Sequence, residues 1–257
     1  MDKNEKIMNT LKEYKKSLEE KGYNVVYIGL YGSQNYNLDD ENSDVDARAI
    51  VIPKIEEIIR RKSISTEYEF ETGKIDVKDI LTYYGVVKKG NFSFIEPFQT
   101  EWYIGDETIR VLFSTFKVNP HALLGAQYQK FKNLIKRDEW GESIIEYSAK
   151  DYHHLCRLSH LLNHIFNTGE NISFIKYDGE EAQKMLELKR ESINLNSPEG
   201  YKMTLQRINE AHAIRDADIK RTYSKVLDIE QPDFEDWINR YILSEVREQL
   251  LCIKEEI

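Results

Sequence analysis

The pattern of apolar and polar positions predicts a helix followed by a buried strand at the start of the chain. Residues 3–21 combine lysines and glutamates with apolar residues at helical spacing, which is typical of an amphipathic helix. Those apolar residues are Ile7, Leu11, Tyr14 and Leu18. Gly22 is a natural helix end. A short apolar run over residues 27–31 then ends at Gly32, as a buried strand does.

Further strands are predicted after a polar loop. Residues 49–52 form an apolar strand that ends at Pro53, and a short helical stretch covers residues 55–63. Residues 65–80 read as two strands joined by a hairpin turn at Thr72 and Gly73. The chain then returns to a helical pattern over residues 79–89.

The second half of the chain is predicted to be mostly helical. The clearest helix spans residues 143–168, where leucines and isoleucines form one buried stripe and Gly169 ends the pattern. Connecting helices are expected over residues 102–142. Three further helices are predicted at residues 180–193, 205–227 and 234–253, with Asp233 as the N-cap of the last.

Composition narrows the class of protein. The 257 residues are 40% hydrophobic and 32% charged, and no long apolar run or signal peptide is present, so we expect no membrane span and a cytoplasmic location. Two distant cysteines, Cys156 and Cys252, form neither a disulfide framework nor a zinc cluster. The net charge of -9 disfavours tight binding of long nucleic acid, but it permits a local basic cleft or a small nucleotide substrate.

The most informative chemistry lies between the first two predicted strands. Gly32 allows a tight turn and the close approach of a ligand to the backbone. Ser33 adds a hydroxyl beside backbone N–H groups, an arrangement that is suited to binding phosphate. Asp44 and Asp46 follow at the start of the next strand. Side chains at i and i+2 of a strand share a face, so these two carboxylates are predicted to project together.

Two carboxylates on one face repel each other unless a cation neutralises them. Mg²⁺ prefers oxygen ligands and is usually held by one or two carboxylates together with substrate phosphates. A phosphate-binding site beside such a metal site is suited to phosphoryl or nucleotidyl transfer. The structural alternative is a polar hairpin loop whose acids are simply solvated.

These residues resemble the signature of the DNA polymerase beta superfamily of nucleotidyltransferases, which is Gly-Ser, a spacer, and Asp-x-Asp opening a strand. The stretch is most similar to a bacterial and phage group that has Gly-Ser, two residues, Tyr-Gly-Leu, a polar loop and Ser-Asp-x-Asp. This chain has Tyr36, Asn37 and Leu38, then residues 43–46. Asn37 replaces the usual glycine, and asparagine tolerates positive φ better than most residues.

The resemblance implies an α+β fold. Residues 1–110 would form a nucleotidyltransferase domain with a mixed sheet and flanking helices, and residues 111–257 a mostly helical domain, with the active site between them. It also implies transfer of a nucleoside monophosphate from an NTP to an acceptor hydroxyl, with release of pyrophosphate. The acceptor could be a protein, an RNA end such as that of a tRNA, or a small molecule.

The resemblance further implies a metal site. Asp44 and Asp46 would hold two Mg²⁺ ions, or Mn²⁺ in their place, and Gly32 and Ser33 would hold the phosphates. The superfamily supplies a third carboxylate from a later strand, and Asp76 is the matching position. It would share a metal and orient or deprotonate the attacking hydroxyl. Asp79 is a rival, because a slip of one residue in register exchanges the faces.

Two later segments also match the bacterial and phage group. Glu96 fits an apolar-Glu-apolar stretch, where it could pair with an active-site group or cap a turn. His154 and Arg157 fit a His-x-x-Arg pattern on one helical face. Arg157 is predicted to bind the triphosphate, and a structural pairing with an acid is the alternative.

Two other classes of function compete with the enzyme. The fold and the nucleotide pocket could serve a non-catalytic nucleotide- or partner-binding module. His160 and His164, at i and i+4, have the spacing of a helical zinc pair, although no glutamate follows His160 as metalloproteases require. Solvated or core histidines are the structural interpretation of that pair.

Overall fold

The fold is described from a computed structural model, which describes residues 2–40, 43–225 and 229–255. The chain forms two compact units. We call the first the sheet unit. It comprises Met1–Asn35, Asp40–Lys117 and Glu230–Ile257.

The second unit, which we call the helical unit, comprises Tyr36–Asp39 and Val118–Ile229. Its first segment directly follows the Gly-Ser turn, so the chain enters the helical unit for four residues and then returns to the sheet unit.

The sheet unit is built on one mixed sheet. Its strands are β1 Asn24–Leu30, β2 Ala47–Ile52, β3 Ser65–Phe70, β4 Gly73–Asp79 and β5 Tyr103–Gly105. Their order across the sheet is β3-β4-β2-β1-β5. Only the β2–β4 pair is parallel among these, and the other neighbours are antiparallel. The predicted α+β class with a mixed sheet and flanking helices is confirmed at this level.

The helices follow in chain order, and a short hairpin lies among them. The helices are α1 Lys3–Glu20, α2 Ile55–Ile59, α3 Ile80–Val87, α4 Phe92–Gln99, α5 Glu107–Ser114, α6 Pro120–Asn133, α7 Ala149–Thr168, α8 Gly179–Arg190, α9 Pro198–Ser224 and α10 Glu235–Glu255. The hairpin of the helical unit pairs β6 Ile135–Arg137 with β7 Ile144–Tyr147. Among the described residues, no helix combines the length and apolar character needed to cross a membrane.

The two faces of the sheet have different chemistry. The core face packs against α1, whose buried apolar residues are those that the sequence pattern identified. It carries Val45, Ala47, Ala49, Val51, Ile75 and Val77. Alternation along the strands puts Arg48, Asp76 and Lys78 on the opposite face, which we call the site face. Helix α4 contacts the site face, because Phe94 stacks on Arg48.

Two predicted segments differ in the structure. The first residues of the predicted helix at 143–168 form strand β7, and α7 begins at Ala149, where the Ser148 hydroxyl accepts a hydrogen bond from the Asp151 backbone N–H at 3.1 Å. β-branched Ile144 and Ile145 favour a strand, and Ser148 provides the start signal of the helix. Strand β5 lies in a region where only connecting helices were predicted.

The unit boundaries also differ from the predicted division at residue 110. The sheet unit continues to Lys117 and includes α10. Side-chain hydrogen bonds hold this helix and the residues before it: Tyr84 donates to Asp233 at 2.8 Å, and Tyr241 donates to Asp106 at 3.0 Å. Asp233 also accepts from the Glu235 backbone N–H, but α10 begins at Glu235, so Asp233 lies one residue before the N-cap position that was predicted for it.

The second of the three late helices that were predicted, at residues 205–227, is α9, which begins earlier, at Pro198. Pro198 occupies the first turn, where its missing N–H costs nothing, and Ser197 caps the helix by accepting from the Gly200 backbone N–H. Residues 226 and 227 of that prediction lie outside the described residues.

Candidate active site

The Gly-Ser turn follows β1 and is held by Glu96 from α4. Gly32 has φ of 108°, in the region that favours glycine, and a Cβ there would meet no atom within 4 Å. Its N–H donates to Glu96 Oε1 at 2.7 Å. Asn35 Nδ2 donates to the same oxygen at 2.9 Å. Glu96 is only 1% exposed, so its carboxylate fixes the turn from inside the protein.

Ser33 begins a single 3₁₀ turn, Ser33–Tyr36, directly after Gly32. Its half-buried hydroxyl has no hydrogen-bond partner within the described part of the chain. Asn37 follows with φ of 59°, which confirms that this position requires a residue tolerant of positive φ.

The segment with the first two acids lies extended beside the turn. Tyr31 N–H donates to the Asp46 carbonyl at 3.0 Å, and Val45 N–H donates to the Thr72 carbonyl at 2.7 Å. Gly73 packs so closely that a Cβ there would lie 2.6 Å from the Val45 carbonyl oxygen. This segment is therefore held on one side by β1 and on the other by the β3–β4 turn.

The acids themselves are directed away from the core. Val45 is buried in the core face, so alternation places Asp44 and Asp46 on the opposite side. Asp44 is exposed. Asp46 is half-buried, and its Oδ1 accepts from the Lys74 backbone N–H at 3.3 Å. The predicted shared orientation of these two carboxylates agrees with this arrangement.

Asp76 lies on the site face but is already paired with two cations. In the parallel β2–β4 register, Asp76 is opposite Arg48. Arg48 Nη1 donates to its Oδ2 at 2.9 Å, and Lys78 Nζ donates to its Oδ1 at 3.0 Å. Both carboxylate oxygens therefore accept charge-assisted hydrogen bonds.

Arg48 is held as firmly as Asp76. Its guanidinium carbon lies 3.5 Å from the centroid of the Phe94 ring and 4.5 Å from that of Tyr31. Burial raises the pKa of Tyr31 to about 12, and the positive charge of Arg48 acts in the opposite direction. The Arg48–Asp76 pair thus links β2, β4 and α4 to the residue that precedes the Gly-Ser turn.

Asp79 has a structural role. It is 3% exposed, and its side chain accepts from the Thr82 N–H at 2.8 Å and from the Ile64 N–H at 2.7 Å. It is the N-cap of α3. Of the two rival positions for the third acid, the register therefore puts Asp76 on the site face and assigns Asp79 to a cap.

The donor chemistry fits a divalent cation only in part. Asp44 and Asp46 offer oxygen ligands of the kind that Mg²⁺ prefers. Asp76 does not complete a three-carboxylate set with them in this arrangement, because Arg48 and Lys78 take its oxygens. Within the described ranges, no group of three His, Cys, Asp or Glu residues is placed to hold a metal ion. The residues present thus fit a metal held by two carboxylates and by the phosphates of a ligand.

Arg157 belongs to the helical unit. It is 8% exposed, and its guanidinium carbon lies 4.0 Å from the centroid of the Tyr36 ring. Its predicted companion His154 has a pKa lowered to about 2, first by burial and then by the positive charge of Arg157. His153, the preceding residue, is more deeply buried, at 3% exposure.

The two histidines with zinc spacing have other partners. His160 Nδ1 lies 3.2 Å from the Tyr177 hydroxyl, and His164 Nε2 lies 3.0 Å from a Glu170 carboxylate oxygen. The two histidines thus contact different residues, and neither Tyr177 nor Glu170 contacts both of them. This arrangement agrees with the interpretation of the pair as structural histidines.

Sequence reasoning missed Arg48 and left the role of Glu96 open. An arginine inside the apolar run of β2 was a signal that could have been used, since a buried charge requires a partner. A cavity of about 190 Å³ lies elsewhere, in the helical unit, beside His121, Phe166 and Lys225, and no predicted site residue lines it.

Comparison with protein-family models and with curated proteins finds no match for this chain.

Proposed function

We propose that this chain is a metal-dependent nucleotidyltransferase that moves a nucleoside monophosphate from an NTP to an acceptor hydroxyl and releases pyrophosphate. One observation carries the proposal. A glycine turn with positive φ, fixed by buried Glu96, lies next to an extended segment that directs Asp44 and Asp46 away from the core. The resemblance of the same residues to the polymerase beta superfamily supports it.

Each residue has a role in this proposal. Backbone N–H groups after Gly32 and the hydroxyl of Ser33 bind phosphate oxygens. Asp44 and Asp46 would hold Mg²⁺, or Mn²⁺ in its place. When bound, the ion supplies neutralisation of the charge that develops on the phosphates.

Asp76 is proposed to orient the attacking hydroxyl. Arg48 holds one of its oxygens from within the sheet, and Lys78 holds the other. An acceptor hydroxyl that binds Oδ1 therefore replaces the Lys78 ammonium group there. The proposed acceptor classes remain a protein hydroxyl, an RNA end and a small molecule, and the acidic net charge of -9 disfavours long nucleic acid.

Label transfer tests this function. The full chain is incubated with each NTP labelled at the α-phosphate, Mg²⁺ and candidate acceptors. Label on protein, RNA or a small molecule is expected with Mg²⁺ and should disappear when EDTA removes the metal. Asp46→Asn should abolish transfer, whereas Glu69→Gln, which changes an exposed acid of β3, should not. No transfer in any combination would contradict the proposal.

A second candidate is a nucleotide-binding module without transfer activity. The observation that favours it is the pairing of Asp76 with Arg48 and Lys78, which leaves the site face with only two acids for a metal. This alternative predicts saturable NTP binding with neither label transfer nor pyrophosphate release. Turnover of any NTP would remove it.

A further inference from the structure

Helix α7 presents three basic side chains on one face of the helical unit. His153, Arg157 and His160 are spaced i, i+4 and i+7, so they lie on the same side of the helix. Arg157 as a whole is 8% exposed. Its Nε is buried without a hydrogen-bond partner, and no carboxylate among the described residues forms an ion pair with it.

Arg207 shows how this unit normally accommodates such a group. Its Nη2 lies 2.6 Å from Glu191 and its Nη1 lies 2.9 Å from Glu210. Buried charges in proteins are paired in this way because an isolated charge is costly to remove from water. Arg157 has an aromatic ring, that of Tyr36, where Arg207 has two acids. Arg157 therefore has no anionic partner among the described residues.

His153 adds a second polar group of the same kind. It is 97% buried, since 3% is exposed, and both ring nitrogens lack a partner within the part of the chain that the structure describes. Burial lowers its pKa to about 3, and the positive charges of Arg157, Lys189 and His160 act in the same direction. The ring is therefore neutral at pH 7 and has one N–H donor available.

Lys189, on α8, supplies a third donor. Its ammonium group donates to the Leu38 carbonyl at 2.9 Å, which uses one of its three N–H groups. Leu38 lies two residues after Tyr36, whose ring stacks on Arg157, so this hydrogen bond holds the ammonium group on the segment that also contacts Arg157. The positive charge of Lys189 also lowers the pKa of His153. His160 Nδ1 lies 3.7 Å from a carboxylate oxygen of Glu181, whose side chain is 63% exposed.

We propose that Arg157, His153 and Lys189 form an oxyanion site in the helical unit that binds a phosphate group. Phosphate is the class that fits, because a guanidinium, an ammonium and a neutral N–H match its several acceptor oxygens. The assignment of that group to the NTP or to released pyrophosphate rests on the proposed function. Binding of the anion itself does not, since none of the three residues belongs to the proposed metal site.

Calorimetric titration of the full chain with pyrophosphate in EDTA tests this site apart from the metal. Saturable binding is expected. Arg157→Met and Lys189→Met should each weaken it by about tenfold or more, the usual effect of losing a charge-assisted hydrogen bond. Arg215→Met is the matched control, because Arg215 also stacks on aromatic rings of this unit, those of Tyr128 and Phe131. It should bind like the wild type.

Thermal unfolding distinguishes an arginine that binds an anion from one that only stabilises the fold. Without anions, Arg157→Met should melt at or above the wild-type temperature, because it removes an unpaired buried charge. Pyrophosphate should raise the melting temperature of the wild type but not that of this variant. An Arg157→Met protein that is less stable and still gains stability from pyrophosphate would overturn the proposal.

Parallel titrations with inorganic phosphate, pyrophosphate and an NTP identify the source of the phosphate group. Tightest binding of the NTP assigns the site to the nucleotide, and equal binding of all three assigns it to free phosphate. Absence of binding in all three titrations overturns the proposal. Absence of NTP turnover, with pyrophosphate still bound in EDTA, would end the proposed function and leave this site standing.

Discussion

Glu96 and Gly32 are the pair of residues that gives the candidate site its shape. A single oxygen of Glu96 accepts from the Gly32 N–H and from Asn35 Nδ2. A buried carboxylate that accepts two N–H donors is a strong local constraint, because removing it leaves the Gly32 N–H without this acceptor and Asn35 Nδ2 with only the Leu30 carbonyl. The Gly-Ser turn is therefore held in place by a residue of α4.

Gly32→Ala tests the conformation of this turn. The new Cβ has space, but φ of 108° is unfavourable for any L-residue, so we expect a loss of about 1–2 kcal/mol in the free energy of unfolding. Gly85→Ala is the control. It lies on the exposed side of α3 with open space around it, and it should stabilise the protein by about 0.5–1 kcal/mol. Urea unfolding of both variants measures the difference, and equal stabilities would contradict the described turn.

Prediction from sequence worked best where a residue type has one physical use. The glycine at 32 and the asparagine at 37 both have positive φ, as their types suggested. The role of Glu96 could not be derived in the same way. Its partners lie more than 60 positions earlier in the chain, and only the packing of α4 on β1 brings them together.

At the scale of elements, the parallel β2–β4 pair organises the site face. Its register places Arg48 opposite Asp76, and the side chains of the pair are only 10% and 17% exposed. Phe94 of α4 then covers the guanidinium. The β2–β4 register, the packing of α4 and the Arg48–Asp76 ion pair therefore depend on one another.

A double-mutant cycle measures this dependence. Asp76→Asn should cost about 3–5 kcal/mol, because it leaves the largely buried Arg48 without its carboxylate partner. Arg48→Met should cost less, because Lys78 still pairs with Asp76. The double variant should lose much less than the sum of the two. The control cycle uses Lys74 and Glu67, a pair at 3.0 Å whose side chains are 42% and 46% exposed, where coupling below about 1 kcal/mol is expected. Equal coupling energies in the two cycles would contradict a buried Arg48–Asp76 ion pair.

Elements with strong periodicity were predictable, and short strands were not. The pattern identified α1 and the β3–β4 hairpin, because each has a long apolar stripe or a clear turn signal. Strands β5 and β7 have three and four residues, which is too short for alternation to be recognised. The membership of α10 in the sheet unit depends on hydrogen bonds to distant residues, which a local pattern does not contain.

In the whole molecule, the proposed metal ligands and the basic residues of α7 lie in different units. The chain carries 45 acidic and 36 Lys and Arg residues, and its proposed metal ligands lie in the sheet unit. The helical unit contains a buried basic cluster with two neutral histidines. This cluster should make stability depend on pH.

Stability should fall as the pH falls below about 6.5. His153 has its pKa lowered to about 3 in the folded chain, so between these values the unfolded chain binds the extra proton. Its contribution is complete above the unfolded pKa and is lost at up to about 1.4 kcal/mol per pH unit below it. The positive charges of Arg157, Lys189 and His160 lower the pKa of His153 further, and the ring of His154 lies 5.3 Å from that of His153.

Unfolding free energies in phosphate-free buffers between pH 4 and 7 check this expectation. His153→Leu should reduce the slope of stability against pH by up to about 1.4 kcal/mol per pH unit, while His154, whose pKa is also lowered, should still contribute. His121→Leu, which replaces an exposed histidine of the same unit, should leave it unchanged. The same pH dependence in both variants and the wild type would mean that His153 is not buried in neutral form.

The most direct test of the central claim is the rate of pyrophosphate release from each of the four NTPs with Mg²⁺, compared between the wild type and Asp44→Asn. Because Asp44 is exposed and its side chain supports no described contact, the variant should keep the wild-type circular dichroism spectrum and melting temperature. We expect the wild type to release pyrophosphate from at least one NTP, and Asp44→Asn to release none above background. Undiminished release by this variant would show that the metal site is not at Asp44 and Asp46.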